Sequence, residues 1–310
     1  MNFRQLYYII TIYEEGSISK AADKLYISQP ALSHHLLKLE SELGIKIFDR
    51  SRTPLTTTYA GSKFIDFVQK VLFEENQMNN ELSDISHLKK GNLSIGIPSN
   101  RSLQILPLVL PNFVKEYPGI ELQIKEFRST TLENMVLNNE IDFALMVPKS
   151  SSPLITFKQL AIEDVILAVH RNNAINVILN GKTSANITLF KNFPFILMKE
   201  GHQLRFIADK VFQASHVQPN YILETSNLDL AVRLVSAGLG ISFITSLAAA
   251  TFLNHEKLVY YQLAPHPIQY SIGVQYHVNK HISEAMQLFI NHVKMAVNKL
   301  SSDRPPFGCK

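Results

Sequence analysis

The sequence predicts an α/β chain: an N-terminal winged helix-turn-helix, one long linker helix, and a large C-terminal α/β region. Three observations carry this. The first fifty residues hold three helical patterns divided by turn signals, followed by a strand–turn–strand. A proline-free helical pattern then runs from Thr58 to about Leu88. From residue 91 onward strand-like and helical segments alternate, which means a mostly parallel sheet with helices on both faces. A chain of 310 residues, 46% hydrophobic and 18% charged, suits two or more packed domains.

In the first helix Phe3, Leu6, Tyr7, Ile10 and Tyr13 recur at helical spacing, and Gly16 stops it. Ser17 can cap a second helix over about Ile18 to Leu25, where Ala21 and Ala22 allow close helix approach. Tyr26-Ile27 makes a short turn. Ser28 is an N-cap and Pro30 falls in the first turn of a third helix, Gln29 to about Leu43. Leu32, Leu36, Leu39 and Leu43 lie on one face, and Gly44 ends it. Ile45 to Phe48 reads as a strand, 50–54 as a turn, and Leu55-Thr56 as the return strand.

In the long helix Phe64, Val68, Val71, Met78, Leu82 and Ile85 keep steps of four and three if Glu75 is one polar interruption. That is a coiled-coil seam for a partner helix. The alternative is an amphipathic helix packed on its own domain.

Beyond it, strands are predicted at Leu93–Ile97, Ile120–Phe127, Asp142–Val147, Val165–His170, Phe195–Met198, Tyr221–Leu223, Ile241–Ile244 and Ser271–Tyr276. Helices are predicted at Ser102–Glu116, Thr130–Asn138, after Gly201, at Leu228–Ala237 and at Ser283–Leu300. The region fits one domain or two halves. The tail, 301–310, is polar, Pro-rich and expected to be loose.

Composition excludes several classes. No apolar run is long enough for a transmembrane helix, and the N-terminus lacks a secretory pattern. The single cysteine, Cys309, rules out an internal disulfide and a Cys-based zinc site. These point to the cytoplasm. Net charge is +4, but residues 1–60 hold seven Lys/Arg against six Asp/Glu. Placement, not bulk charge, must carry any nucleic-acid binding.

A helix-turn-helix enters the major groove by the start of its second helix. The residues that would read DNA there are Ser28, Gln29, Pro30, Ser33, His34 and Lys38. Gln pairs with adenine edges, Ser and His donate to bases or phosphates, and Pro packs on a thymine methyl. Arg50, Arg52 and Thr53 on the wing would follow the backbone or reach the minor groove. The competing reading is a small three-helix interaction module.

Particular residues carry a family resemblance: Ala21-Ala22 to Leu25, Ser28-Gln29-Pro30-Ala31-Leu32-Ser33, Leu39-Glu40, Leu43-Gly44, Phe48-Asp49-Arg50, Leu55-Thr56 and Ala60-Gly61. Over about sixty residues this resembles the LysR-type transcriptional regulators. Weaker echoes follow at Leu106-Pro107, Tyr117-Pro118, Asp142 to Leu145, Glu200-Gly201-His202 and Val235 to Ile241. The resemblance implies a DNA-binding domain at 1–58, a dimerising linker helix at 59–90, and a two-lobed effector domain like a periplasmic binding protein. Lobe I would take 91–161 plus 268–300 and lobe II 162–267, with hinge strands near 159–163 and 263–268. It also implies a homodimer through the linker helix and a homotetramer on promoter DNA. A small effector would alter the DNA bend, and RNA polymerase is a further candidate partner. The sequence departs from the family pattern at His34-His35, Tyr59 and Thr245, and carries Gln203 where some members have a reactive cysteine.

Ligands of open α/β sheets sit beyond the carboxyl ends of the strands. That selects Ser99, Asn100, Arg101, Ser102, Arg128, Ser129 and Val147 from one half, and His202, Asn227 and Thr245 from the other. Hydroxyls, free amides and helix N-termini favour a small organic anion. The alternative is that each Ser or Thr merely caps a helix. The chain has no His-Glu-x-x-His run, nucleophile elbow, P-loop or dinucleotide fingerprint, so no enzyme, metal or cofactor is expected. The rival functions are a ligand-binding or transport-related protein, disfavoured by the missing export signal, and a metabolic enzyme with an appended helical domain.

Overall fold

The computed structural model describes residues 2–51, 54–85, 91–148, 152–252, 255–302 and 307–308. Helix α1 (Phe3–Glu15) starts on a capping box, with Asn2 and Gln5 each bonding the other's amide. Ser17 caps α2 (Ile18–Lys24) and Ser28 caps α3 (Gln29–Leu43). Leu32, Leu36 and Leu39 close on Ile9, Ile12, Ala21 and Ala22 in one small core. Leu43, expected on the same face, is more than a third exposed.

The wing is shorter than expected, with β1 (Phe48–Asp49) paired to β2 (Thr56–Thr57). The buried Glu40 carboxylate accepts the Ile47 and Phe48 amides at 2.7 and 3.2 Å, so these donors serve Glu40. Helix α4 (Tyr59–Ile85) passes directly over this segment. A Cβ at Gly61 would lie 1.8 Å from the Ile47 carbonyl oxygen, so only glycine permits the crossing.

Helix α4 is packed on its own chain over much of its length. Val68 is fully buried, together with Ile65, in the chain's own packing, and Tyr7 donates to Glu75 at 3.1 Å. Further along, Asn80 bonds Asn92, and Asp84 accepts the Glu284 amide at 3.2 Å and faces His281. The Lys280 ammonium sits 4.1 Å from the Phe73 ring centre. Phe67, Met78 and Leu82, at 45, 53 and 56% exposure, share an uncovered apolar face. The seam is thus open to a partner mainly in its second half.

The remaining elements are β3 (Gly91–Ile97), α5 (Ser99–Glu116), β4 (Ile120–Glu126), α6 (Ser129–Leu137), β5 (Phe143–Met146), β6 (Ile155–His170), α7 (Ile175–Ile178), β7 (Ser184–Asn186), β8 (Pro194–Met198), α8 (Gln203–Ala214), β9 (Asn220–Thr225), α9 (Leu228–Ser236), β10 (Ser242–Thr245), α10 (Ser246–Thr251), β11 (Leu258–Ala264), β12 (Ile268–His277) and α11 (Glu284–Ser302). The sheet runs β4-β3-β5-β12-β6-β11-β7, with β10 also on β6; β8 and β9 pair apart from it.

The sheet is mixed, not mostly parallel. Strands β3, β4 and β5 are parallel, but β12 runs antiparallel to both β5 and β6, and β10 and β11 run antiparallel to β6. The reason is the passage between lobes. Strands β6 and β12 pair from Ile268–Val165 to His277–Ile155 as one long ribbon with a register shift at Ile272/Gly273. Two cores hang on it. One holds Leu160, Ile272 and Val274 with α5 and α11; the other begins at Val165 and takes in Leu263 and Ile268. The crossing therefore lies between Leu160 and Val165 and between Ile268 and Ile272, the second point several residues later than expected. Leu247 of α10 enters the first core, fastening the lobes at the ribbon's side.

Two residues of the tail depart from expectation. Phe307 forms a parallel bridge with Tyr260 and packs on the second core, and the Gly308 amide donates to the Tyr260 carbonyl at 3.0 Å. At these two residues an apolar side chain and an open position on the edge of β11 hold the tail against lobe II. Residues 303–306 lie outside those described.

Candidate functional site

Because one face of α3 is committed to the core, its other face is set outward. Gln29, Pro30, His34 and Lys38 are exposed and Ser33 is half-buried. Ser28 accepts the Ala31 amide at 3.4 Å, so its hydroxyl serves the helix start. His34 and His35 part company: the His35 ring lies against Tyr8, 5.3 Å between ring centres. Arg50 donates to Glu40 at 3.2 Å, which ties the wing to α3 while leaving the Arg50 side chain partly exposed. Arg52 and Thr53 lie outside the described residues. Glu40, the anchor of this wing, is missed by sequence reasoning, although an acid in the last turns of a recognition helix followed by Arg50 was a readable signal.

The second site is an interlobe cleft of about 1030 Å³. It gathers Ser99, Asn100, Arg101, Arg128, Ser129 and Val147 from one lobe, and His202, Asn227 and Thr245 from the other. Ser102 is the exception. Helix α5 starts at Ser99, three residues earlier than expected, so Ser102 lies in its first turn and bonds the Ser99 carbonyl and the Glu126 carboxylate. Gln104, Glu126, Lys199 and Glu224 also line the cleft and are missed, because nothing in a single sequence distinguishes them from surface polar residues.

Part of the charge in the cleft is spent internally. Arg101 and Glu163, both nearly fully buried, form an ion pair, and Arg101 also donates to Gln104 at 3.3 Å. Arg205 binds the Glu224 carboxylate and the Met198 carbonyl. The lining holds Arg101, Arg128 and Lys199 against Glu126, Glu200 and Glu224, so net charge does not select an anion.

The helix starts do differ. In lobe II the side chains of His202, Asn227 and Thr245 cap α8, α9 and α10, accepting amides at 3.1–3.2 Å. In lobe I the α5 and α6 starts, at Pro98 and Arg128, have no side-chain cap. In lobe II these side chains thus serve the helix starts, while in lobe I the first amides of α5 and α6 have no side-chain partner.

Asn100 reaches across the cleft. Its Oδ1 accepts the Leu228 amide at 3.2 Å, and its Nδ2 lies 3.4 Å from the Ser226 carbonyl and 3.2 Å from His202 Nε2. Burial, then the Arg101 charge, pushes the His202 pKa down to about 4, so the ring is neutral at pH 7 and carries one proton. Its Nδ1 accepts the Leu204 amide, which assigns that proton to Nε2. Nε2–H then faces the Asn100 amide nitrogen, donor to donor. Turning the amide would oppose Nδ2 to the Leu228 N–H instead. Among the described residues this set has five N–H donors against three acceptors, Asn100 Oδ1, the Ser226 carbonyl and His202 Nδ1, so donors are in excess.

Among the described residues no helix is long and apolar enough to cross a membrane, and no cluster of His, Cys, Asp and Glu could hold a metal. Residues 3–62 match the family of bacterial regulatory helix-turn-helix proteins of the lysR type, and residues 86–298 match the LysR substrate binding domain. The chain is 29% identical to the uncharacterized HTH-type transcriptional regulator YcgK of Bacillus subtilis (strain 168), over 80% of this chain and 81% of that one. It is 30% identical to the HTH-type transcriptional regulator BenM of Acinetobacter baylyi, over 79% and 80%. Its fold matches full-length CbnR solved in complex with its target DNA, at a TM-score of 0.65 and 22% identity, covering 96% of this chain and all of that one. With a helix-turn-helix at one end and a two-lobed binding domain at the other, the chain belongs to the LysR family of transcriptional regulators and is not an enzyme.

Proposed function

We propose that the chain reads a promoter duplex with the first turns of α3 and tunes that reading through a small organic anion held between the lobes. One observation carries the ligand class: two helix starts without side-chain caps, α5 and α6, open on a cleft whose opposite wall offers His202 Nε2–H. Free amides and a neutral N–H suit carboxylate oxygens and need no net positive charge. Ser99, Ser129, Arg128 and Val147 then line the lobe I side, while Arg101 holds the lobe border through Glu163.

On the DNA side Gln29, Pro30, Ser33 and His34 read bases, and Lys38 with Arg50, Arg52 and Thr53 engages the backbone. The complex of CbnR with its target DNA supports a DNA duplex as the partner. The exposed Phe67, Met78 and Leu82 support a homodimer through α4, and a pair of such dimers makes a tetramer on two spaced sites. Effector binding alters the DNA bend, RNA polymerase is the downstream partner, and the cytoplasm, where bacterial DNA lies, is the place of action.

Two experiments test this on the full chain. In a thermal-shift panel, small mono- and dicarboxylates should raise the melting temperature while the matching primary alcohols do not; equal shifts would remove the anion assignment. In duplex titrations Gln29→Ala should change sequence preference. Lys38→Ala should weaken all sequences alike and lower the salt slope by about one.

A further inference from the structure

We propose that Tyr26 is a DNA-backbone contact, held in a backbone conformation unfavourable for tyrosine at the turn that leads into α3. The inference rests on α3 lying in the groove, as proposed above. All three helices before the wing are followed by a residue of positive φ: Gly16 at 56°, Tyr26 at 55° and Gly44 at 67°. At Gly44 a Cβ would meet nothing within 4 Å, so glycine is there for its φ alone.

Tyr26 fills the equivalent place after α2. Its amide donates to the Asp23 carbonyl at 3.2 Å, and the Ile27 amide donates to the Ala22 carbonyl at 3.1 Å. These two bonds make the Schellman ending, in which glycine is the residue without a steric penalty. Tyrosine accepts the penalty and gains nothing inside the chain. It is 96% exposed, and its side chain makes no hydrogen bond or ring contact among the described residues.

What Tyr26 has instead is its place, two residues before the α3 cap Ser28 and continuous with exposed Gln29 and Pro30. A turn beside a helix that enters the groove end-on borders the sugar–phosphate wall. There a phenol ring can cover deoxyribose while its O–H donates to a phosphate oxygen. Such contacts fix position without reading sequence. Being neutral, the phenol displaces no counterion.

The test uses the full chain with Tyr26→Gly, Tyr26→Phe and Gln29→Ala. Each is titrated at several salt concentrations against a labelled duplex from the gene's own upstream region and against a scrambled duplex of equal length. Tyr26→Gly should melt no lower than wild type, yet bind both duplexes about fivefold more weakly with an unchanged salt slope. Tyr26→Phe should fall between the two. Wild-type affinity in Tyr26→Gly overturns the proposal, and so does a loss confined to the upstream duplex, which would make Tyr26 a reader of bases. Gln29→Ala separates the two assignments: unaltered preference there sinks the placement of α3, whereas Tyr26 is judged on its own affinities.

Discussion

The two walls of the cleft are built from the same kind of element, a helix start after a strand, yet they are finished differently. On the lobe II wall each of α8, α9 and α10 is closed by a side chain of the chain itself, His202, Asn227 or Thr245. On the lobe I wall α5 and α6 begin after Pro98 and Arg128 with no such closure. A capped helix start contributes stability and an open one contributes a binding site, since the same orphan amides cannot serve both ends. On the function proposed above, the cleft then has a supporting wall and a receiving wall.

The largest expected effect concerns Arg101, the cation that sequence reasoning placed in the receiving wall. Its partner Glu163 is buried at the lobe border. Arg101→Met should cost about 3–5 kcal/mol of unfolding free energy in urea, because it strands a buried carboxylate. Adding Glu163→Gln should recover most of it. A small loss in Arg101→Met coupled to lost carboxylate binding would break the comparison, making Arg101 a ligand residue.

The next effect belongs to the supporting wall. His202 has a folded pKa of about 4 against an ordinary 6.5. The unfolded chain therefore takes the proton first as the pH falls. Stability from this residue is intact above about pH 6.5, is lost progressively on the way to about pH 4, and changes no further below it. The full span is worth about 3 kcal/mol at most. Carboxylates titrate over part of the same range, so the measurement is the difference between wild type and His202→Gln, in urea melts at pH 7 and pH 4.5. Curves that stay parallel would mean that His202 is solvated and that Nε2–H is not the donor counted above.

These two residues also show what the sequence could reveal. The recognition helix was legible to the residue, because Ser28, Pro30, the leucine spacing and Gly44 are local signals read within one element. Most of the cleft was legible as a set of strand ends, since topology alone sends them to one side. The fate of each side chain was not. Arg101 is committed to Glu163, 62 positions away, and Asn100 to Leu228, 128 positions away. The antiparallel β6–β12 ribbon was hidden for the same reason: alternating strands and helices look alike whether the returning strand runs parallel or antiparallel. Partnerships at such separations leave no trace in a single sequence.

The smallest effect sharpens the comparison most, because the two walls should respond with opposite sign. In the supporting wall Asn227→Ala removes the cap of α9 and should lower stability by about 1 kcal/mol. It should leave the thermal shift given by carboxylates nearly intact, because its hydrogen bond to Leu230 lies within the helix. In the receiving wall Arg128→Asn supplies the cap that α6 lacks. It should raise stability by up to about 1 kcal/mol and diminish the carboxylate shift, since the new side chain takes amides that the ligand would use. Arg128→Gln controls for the lost charge: it removes the cation without providing a good cap, so it should leave stability near wild type. If Arg128→Asn and Arg128→Gln reduce the carboxylate shift equally, charge selects the ligand and the open helix start does not. If only Arg128→Asn reduces it, the amides of α6 are the receiving group.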